Sequence, residues 1–324
     1  MLTVLLQDYI NPALLSAMIS FLLTLGTLVF GRRFLPKDHG REFAVNGALS
    51  KGKARGAGLL LILALIVSAI LCIPMDVEYI IYLAALFVEM LSGYLDDAAE
   101  TPWGELKKGI IDLVVSIAVS VTMYLYHGSE VVMPIFGLQF TVPAVLYIIL
   151  GVILIWASIN VTNCADGVDG LCTSLSMVTL ATAAFLLWIL TMHTNMTMLI
   201  WMTLFVLAAY LWFNCSPSSM LMGDAGSRAL GLLIAMAFMM TGMPFLFIPA
   251  ALLLIIDGGM GLLKLTVLRV TKSKTFMHNI RTPIHDHARK NKGWSDTQVV
   301  TRFTLLQLLL AVVTVLLAVH GNQA

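Results

Sequence analysis

The chain has 324 residues, 59% of them hydrophobic and 11% charged, with a mean hydropathy of +0.93. A water-soluble domain carries about a quarter charged residues, so that class is excluded. A net charge of +1 gives no case for nucleic-acid binding.

Apolar runs long enough to cross about 30 Å of hydrocarbon as helices fall at 10–30, 57–74, 79–95, 109–126, 142–160, 171–190, 197–213, 228–245, 247–268 and 303–320. They predict an all-α polytopic membrane protein, one integral membrane domain over 1–324, with about ten transmembrane helices and both termini outside. The first run lacks a basic leader, since Asp8 is the only charge before it, so it reads as a membrane helix and not a signal peptide.

Charge placement sets the expected orientation. Seven of the 19 Lys and Arg lie in 31–56, eight in 269–302, and Lys107, Lys108, Arg228 and Lys264 in or near the same face. The opposite connections hold only acids, Asp8, Asp76, Glu78 and Glu130. By the positive-inside rule the basic face is cytoplasmic. On the other side, 127–141 is rich in strand formers around Gly137 and predicts a small outer hairpin. The four cysteines show no metal spacing and read as packing residues.

The chemistry-bearing residues crowd the inner loops. Asp96 and Asp97 end the third span, where adjacent carboxylates repel unless a cation intervenes; Lys107 and Lys108 follow closely enough for a short loop to close acid against base. Asn160, Asn163, Asp166 and Asp169 recur every third residue, with Gly167 and Gly170 permitting close approach to a ligand. The next loop holds Asn214 and then Gly223-Asp224-Ala225-Gly226-Ser227 ahead of an apolar helix, where Asp224 serves either as a cap or as a ligand of a hard cation such as Mg²⁺. The last loop carries Pro283-Ile284-His285-Asp286-His287 and a run of cations. It suits a diphosphate better than Zn²⁺, for which only His278 adds a further ligand nearby. Together these loops describe a Mg²⁺ and diphosphate site on one membrane face. Glu89, Asp112 and Asp257 lie inside spans and are functional candidates by position.

In this order the motifs resemble the polyprenyl-phosphate N-acetylhexosamine-1-phosphate transferases: Asp96-Asp97, Asn163-x-x-Asp166-Gly167-x-Asp169-Gly170, Met222-Gly223-Asp224-x-Gly226-Ser227 and the His loop. The Pro-Ile-His-x-His…Lys-Gly-Trp run is similar to the branch that uses a muramoyl-pentapeptide donor. That resemblance implies transfer of phospho-N-acetylmuramoyl-pentapeptide from UDP-MurNAc-pentapeptide to undecaprenyl phosphate, giving lipid I and UMP with Mg²⁺, in the bacterial inner membrane. It implies Asp224 as metal ligand, Asp96 as base with Asp97 beside it, and His285 among the catalytic groups. Asn160, Asn163, Asp166, Gly167, Val168, Asp169, Asn214 and Leu221 would bind substrate, with His287 on the diphosphate or sugar and Lys51 and Lys108 as active-site lysines; Lys53 is the alternative to Lys51. Three departures stand out: Ala54-Arg55-Gly56-Ala57-Gly58-Leu59 replaces Thr-Pro-Thr-Met-Gly-Gly, Asp286 replaces a histidine, and Leu221 stands where an aromatic often stacks on uracil.

Two rivals remain at this level, a relative using UDP-N-acetylglucosamine and, in a different class, a cation- or proton-coupled transporter built on Glu89, Asp112 and Asp257. A homodimer is compatible with such a bundle, although no sequence feature marks an interface.

Overall fold

The computed structural model describes residues 11–38, 40, 50–191, 194–272 and 276–321. Asp8 and Arg41 lie outside them. The chain is mostly helical: α1 Pro12–Gly31, α2 Gly58–Cys72, α3 Val77–Asp97, α4 Glu105–His127, α5 Ala144–Cys164, α6 Leu171–Leu186, α7 Thr194–Asn214, α8 Asp224–Met240, α9 Met260–Thr271, α10 Ile284–Lys292 and α11 Asp296–Gly321. Among the described residues, seven helices are long and apolar enough to span a bilayer; the pair Pro244–Ala250 and Leu252–Thr271, bent by 68°, makes an eighth if it is one crossing. This is a multi-pass membrane protein. The other two expected spans are helices of 15 and 17 residues, α2 and α8, at the short end of spanning length.

The helix starts follow from local chemistry. Asn11 accepts from the backbone N–H groups of Ala13 and Leu14 ahead of Pro12, and Asp76 accepts from Tyr79 N at 2.9 Å, each satisfying donors that a helix leaves free. The 68° bend falls at Ala251, between Ala250 and Leu252, and a π-helical segment, Ile255–Gly259, follows it, whose Gly258 and Gly259 tolerate the departure from α geometry.

Helix α8 is the axis of the bundle. Every residue from Ala225 to Met240 is buried, as expected for a helix apolar nearly all round, and α2, α3, α5 and α6 pack against it. The outer helices turn Leu14, Phe30, Val114, Val145 and Leu309 outward, all exposed, as a lipid-facing surface requires. The expected hairpin is present: β1 Glu130–Met133 pairs antiparallel with β2 Leu138–Thr141, and Val132 N donates to Gly242 O at 2.9 Å just beyond α8. All four cysteines are free thiols.

Candidate active site

A polar cavity of about 520 Å³ opens where the motif loops meet. Asn163, Asp166, Gly167, Val168, Asp169, Asn214, Leu221, Asp224 and His285, all expected from the sequence, line it.

Backbone contacts between distant loops build its walls. Leu221 N donates to Ala54 O at 2.8 Å, and Ala57 N and Gly58 N donate to Leu221 O and Met222 O at 3.0 Å each. Asn214 is buried, accepts from Gly170 N and Thr173 Oγ1 at 3.1 Å each, and donates to Met220 O at 3.2 Å. Its amide therefore ties the Asp166–Gly170 loop to the loop before α8. Asp169 accepts from Ser218 N at 2.8 Å and pairs with Lys53 at 3.5 Å.

The start of α8 is where structure and expectation differ most usefully. Asp224 does not cap the helix: it is the first helical residue, and the N-cap Gly223 makes no side-chain cap bond. Asp97 supplies the cap from α3, accepting from Ala225 N at 3.3 Å, while Asp166 accepts from Gly223 N at 3.0 Å. Gly223 has φ +71°, and a Cβ there would overlap Asp97 Oδ2, so both conformation and space demand glycine. With its helix end satisfied by others, the Asp224 carboxylate is left to the cavity.

Adjacent Asp96 and Asp97 resolve their repulsion by taking separate cations. Asp96 Oδ2 lies 3.0 Å from Lys108 Nζ, closing acid against base as the loop length suggested, and its other oxygen accepts from Trp103 N. Asp97 receives Arg55 at 2.9 Å. Burial works against the charged Arg55 guanidinium, yet Asp97, Asp38 and Asp224 outweigh it and hold its pKa above the ordinary value. Lys108 also approaches Asp224, at 3.6 Å, so one ammonium links the end of α3 to the start of α8.

His285 is buried and held by Asp257, whose Oδ1 accepts the His285 backbone N–H and whose Oδ2 lies 2.7 Å from ring Nδ1. The carboxylate offers only acceptors, so the ring carries its proton on Nδ1 and turns Nε2 toward Gly167; a Cβ at Gly167 would come within 2.5 Å of that nitrogen.

Several expected residues sit elsewhere. Lys51 is exposed and does not line the cavity; Lys53, two residues on, does. Asn160 lies a helical turn deeper in α5 and donates to Trp156 O in its own helix. His287 is two positions from His285 on α10, a spacing that puts the rings on different faces, and its Nδ1 accepts from Arg281 N. Asp96, Asp97 and Lys108 stand beside the lining residues without belonging to them. Asp286 and Arg289 of the His loop also line the wall, together with residues that spacing did not single out: Asp38, Ser50, Arg55 and Asp296. Asp38, an acid among the seven cations of 31–56, was the available signal; it accepts from Ser50 Oγ and pairs with Arg55 at 3.3 Å. The transporter candidates are committed internally, Glu89 and Asp112 to Arg228 and Asp257 to His285.

Among the described residues no group of three or more His, Cys, Asp or Glu is gathered as a metal cage. That donor set does not suit a structural Zn²⁺ site. Carboxylate oxygen from Asp224 beside an open polar cavity suits Mg²⁺, which takes one or two carboxylates and completes its shell with substrate phosphates and water.

The chain belongs to glycosyl transferase family 4, whose model matches residues 79–242, and its multi-pass bundle, with acidic and basic loops converging on one polar cavity, is that of a membrane-embedded transferase. It is 33% identical over 326 residues to the phospho-N-acetylmuramoyl-pentapeptide-transferase of Treponema pallidum (strain Nichols), covering 95% of this chain and 90% of that protein. It is also 27% identical over 324 residues to the same-named protein of Clostridium botulinum (strain Eklund 17B / Type B), covering 95% and 97%, and 25% identical over 276 residues to that of Campylobacter curvus (strain 525.92), covering 78% and 77%.

Proposed function

We propose that this protein transfers phospho-N-acetylmuramoyl-pentapeptide from UDP-MurNAc-pentapeptide to undecaprenyl phosphate, releasing UMP and forming lipid I for peptidoglycan synthesis. The observation that carries this reading is the convergence of three separated loop motifs, the His loop included, on one cavity with the Asp96-Asp97 pair bonded beside it, in a chain whose relatives bear that name along nearly its full length. The chain crosses the bacterial inner membrane ten times with both termini outside. Its basic loops and the cavity face the cytoplasm, where a nucleotide donor is found and where the lipid phosphate lies at the membrane surface.

The donor occupies the cavity. Asp166, Asp169 and Asn163 orient it, Leu221 packs on the uracil, and Lys53, Arg55 and Arg289 meet the diphosphate charge. His285, fixed by Asp257, presents Nε2 as a hydrogen-bonding group to the diphosphate or sugar. The acceptor phosphate arrives on the Asp96–Lys108 side of Asp224, with Asp96 taking its proton and Lys108 lowering the repulsion between the two anions. Asp224 would hold Mg²⁺, which when bound neutralises charge developing on the departing UMP. Asp97 shapes the site indirectly, through the helix end it caps and the Arg55 it holds.

A single displacement at phosphorus fits better than an aspartyl intermediate. Both carboxylates of the Asp96-Asp97 pair are engaged by cations and neither lines the cavity, so neither is free to attack the donor.

Supplying purified protein with undecaprenyl phosphate, Mg²⁺ and each UDP-sugar in turn tests the proposal. Lipid product from UDP-MurNAc-pentapeptide is expected; product from UDP-N-acetylglucosamine alone overturns it.

A further inference from the structure

The three helices that carry Asp96, Lys108 and Asp224 carry a second set of charges deeper in the bundle. Glu89 precedes Asp96 by seven residues on α3, Asp112 follows Lys108 by four on α4, and Arg228 follows Asp224 by four on α8. At 1.5 Å per residue that places them about 6 to 10 Å inward along their axes. Arg228 Nη2 donates to Glu89 Oε2 at 3.3 Å and also to Asp112 Oδ1, and all three residues are buried. Each tier therefore holds two acids and one cation, with the cation on α4 in the upper tier and on α8 in the lower.

A buried ion cluster is poor evidence of stabilisation, because desolvation offsets the attraction. This one also leaves Glu89 Oε1 and Arg228 Nε without hydrogen-bond partners among the described residues. Its value lies in geometry. Helices α3 and α8 need no charges to fix their relation: they meet backbone to backbone, and a Cβ on Gly93 would overlap the Asp224 carbonyl. Helix α4 has no such lock on α8, although it packs closely on α5, where a Cβ on Gly151 would lie 2.7 Å from Ser120 Oγ. It touches α8 less than α3 does, and a Cβ on Gly109 at its inner end would meet no neighbouring atom within 4 Å. The Arg228–Asp112 pair is the buried charge contact joining α4 to α8, one helical turn from the lysine that reaches Asp96 at 3.0 Å and Asp224 at 3.6 Å.

We propose that Glu89, Arg228 and Asp112 are positioning residues, a lower tier that sets the depth of α4 and so holds the Lys108 ammonium between Asp96 and Asp224. This rests on the reading that the upper tier belongs to the reaction centre. The lower tier touches no substrate and acts only through Lys108.

The test is UMP release by purified variants, with unfolding profiles recorded alongside. Asp112→Asn should lower kcat at least tenfold and move the donor KM less than twofold. Arg228→Lys should retain several times the activity of Arg228→Met. In a double-mutant cycle, adding Asp112→Asn to Lys108→Met should cause no further loss, since the lower tier has nothing left to position. Wild-type kcat in Asp112→Asn, or losses that multiply in the double variant as for independent sites, would overturn the proposal. Should Asp112→Asn fail to fold, Asp112→Glu keeps the charge while changing its reach; the same kcat loss supports the proposal and unchanged kcat overturns it. All values are ratios to the wild type with the donor it uses, so a different natural donor would defeat the proposed function and leave this test standing.

Discussion

Asp257 holds His285 at two atoms, the backbone N–H and ring Nδ1, each at 2.7 Å. One carboxylate thus fixes both where α10 begins and which ring nitrogen faces Gly167. Asp257→Asn replaces one acceptor with a donor and so keeps both contacts only by moving the ring proton from Nδ1 to Nε2. A buried bond to a charged group contributes about 1.5–3 kcal/mol, so a fall in kcat of roughly tenfold or more is expected. Steady-state UMP release checks it.

Gly167→Ala tests the other side of the same ring. Its Cβ would lie 2.5 Å from His285 Nε2, and a shift of about 1 Å in a reacting group costs up to roughly a hundredfold in rate. Activity should fall by tenfold or more while the unfolding temperature stays near wild type, because the clash is with a side chain at the cavity wall.

The two lysines of the first basic loop should separate cleanly. Lys53→Ala removes the 3.5 Å pair with Asp169 and the 3.0 Å bond to Ser218 Oγ, and should raise the donor KM by about tenfold, the order expected for one charge-assisted bond. Lys51→Ala alters an exposed side chain outside the cavity and should leave KM within twofold. Donor titrations of the two variants decide it, and the reverse pattern would return the role to Lys51.

Asp97 and Asp224 are also predicted to fail differently. Asp97→Ala strips an N-terminal cap worth about 1 kcal/mol and a partner of Arg55, so it should lower the unfolding temperature. Asp224→Asn leaves α8 capped, so it should keep that temperature and lose Mg²⁺-dependent UMP release. Thermal melts beside turnover assays resolve the pair.

Direct displacement predicts that labelled UMP does not exchange into the donor when lipid acceptor is absent. Exchange at a rate comparable to turnover would require a phosphosugar-enzyme and sink the one-step reading.

Much of this site was legible because its loops are polar islands between apolar helices. Asp166, Asp169, Asp224 and His285 had few reasons to occur there other than chemistry, and all four line the cavity. The hairpin at 127–141 was equally readable from its strand formers. Contacts made across the chain were harder to foresee. Helical spacing suggested that Asn160 shares the fate of Asn163, but α5 runs unbroken through Cys164 and leaves Asn160 a turn too deep. Capping was one of two readings open for Asp224 because sequence shows only neighbours in the chain; the cap comes from Asp97 on another helix. Lys53 and not Lys51 faces the cavity because Ala54 bridges to Met220, a pairing with no signature in either loop alone.

The strap between residues 54–58 and 220–222 bears on how the protein is made. Lys53 and Ser218, bonded in the finished molecule, are 165 positions apart, and a chain is synthesised from its N-terminal end at about 5–20 residues per second. The first basic loop must therefore wait many seconds, through the insertion of α2 to α7, before its partner emerges. Until then Arg55 and Lys53 face their surroundings without Asp97 bridged to Ala225 or Asp169 bridged to Ser218. A nascent chain arrested just after α7 contains every early residue of the pocket and still lacks the strap that gives it walls.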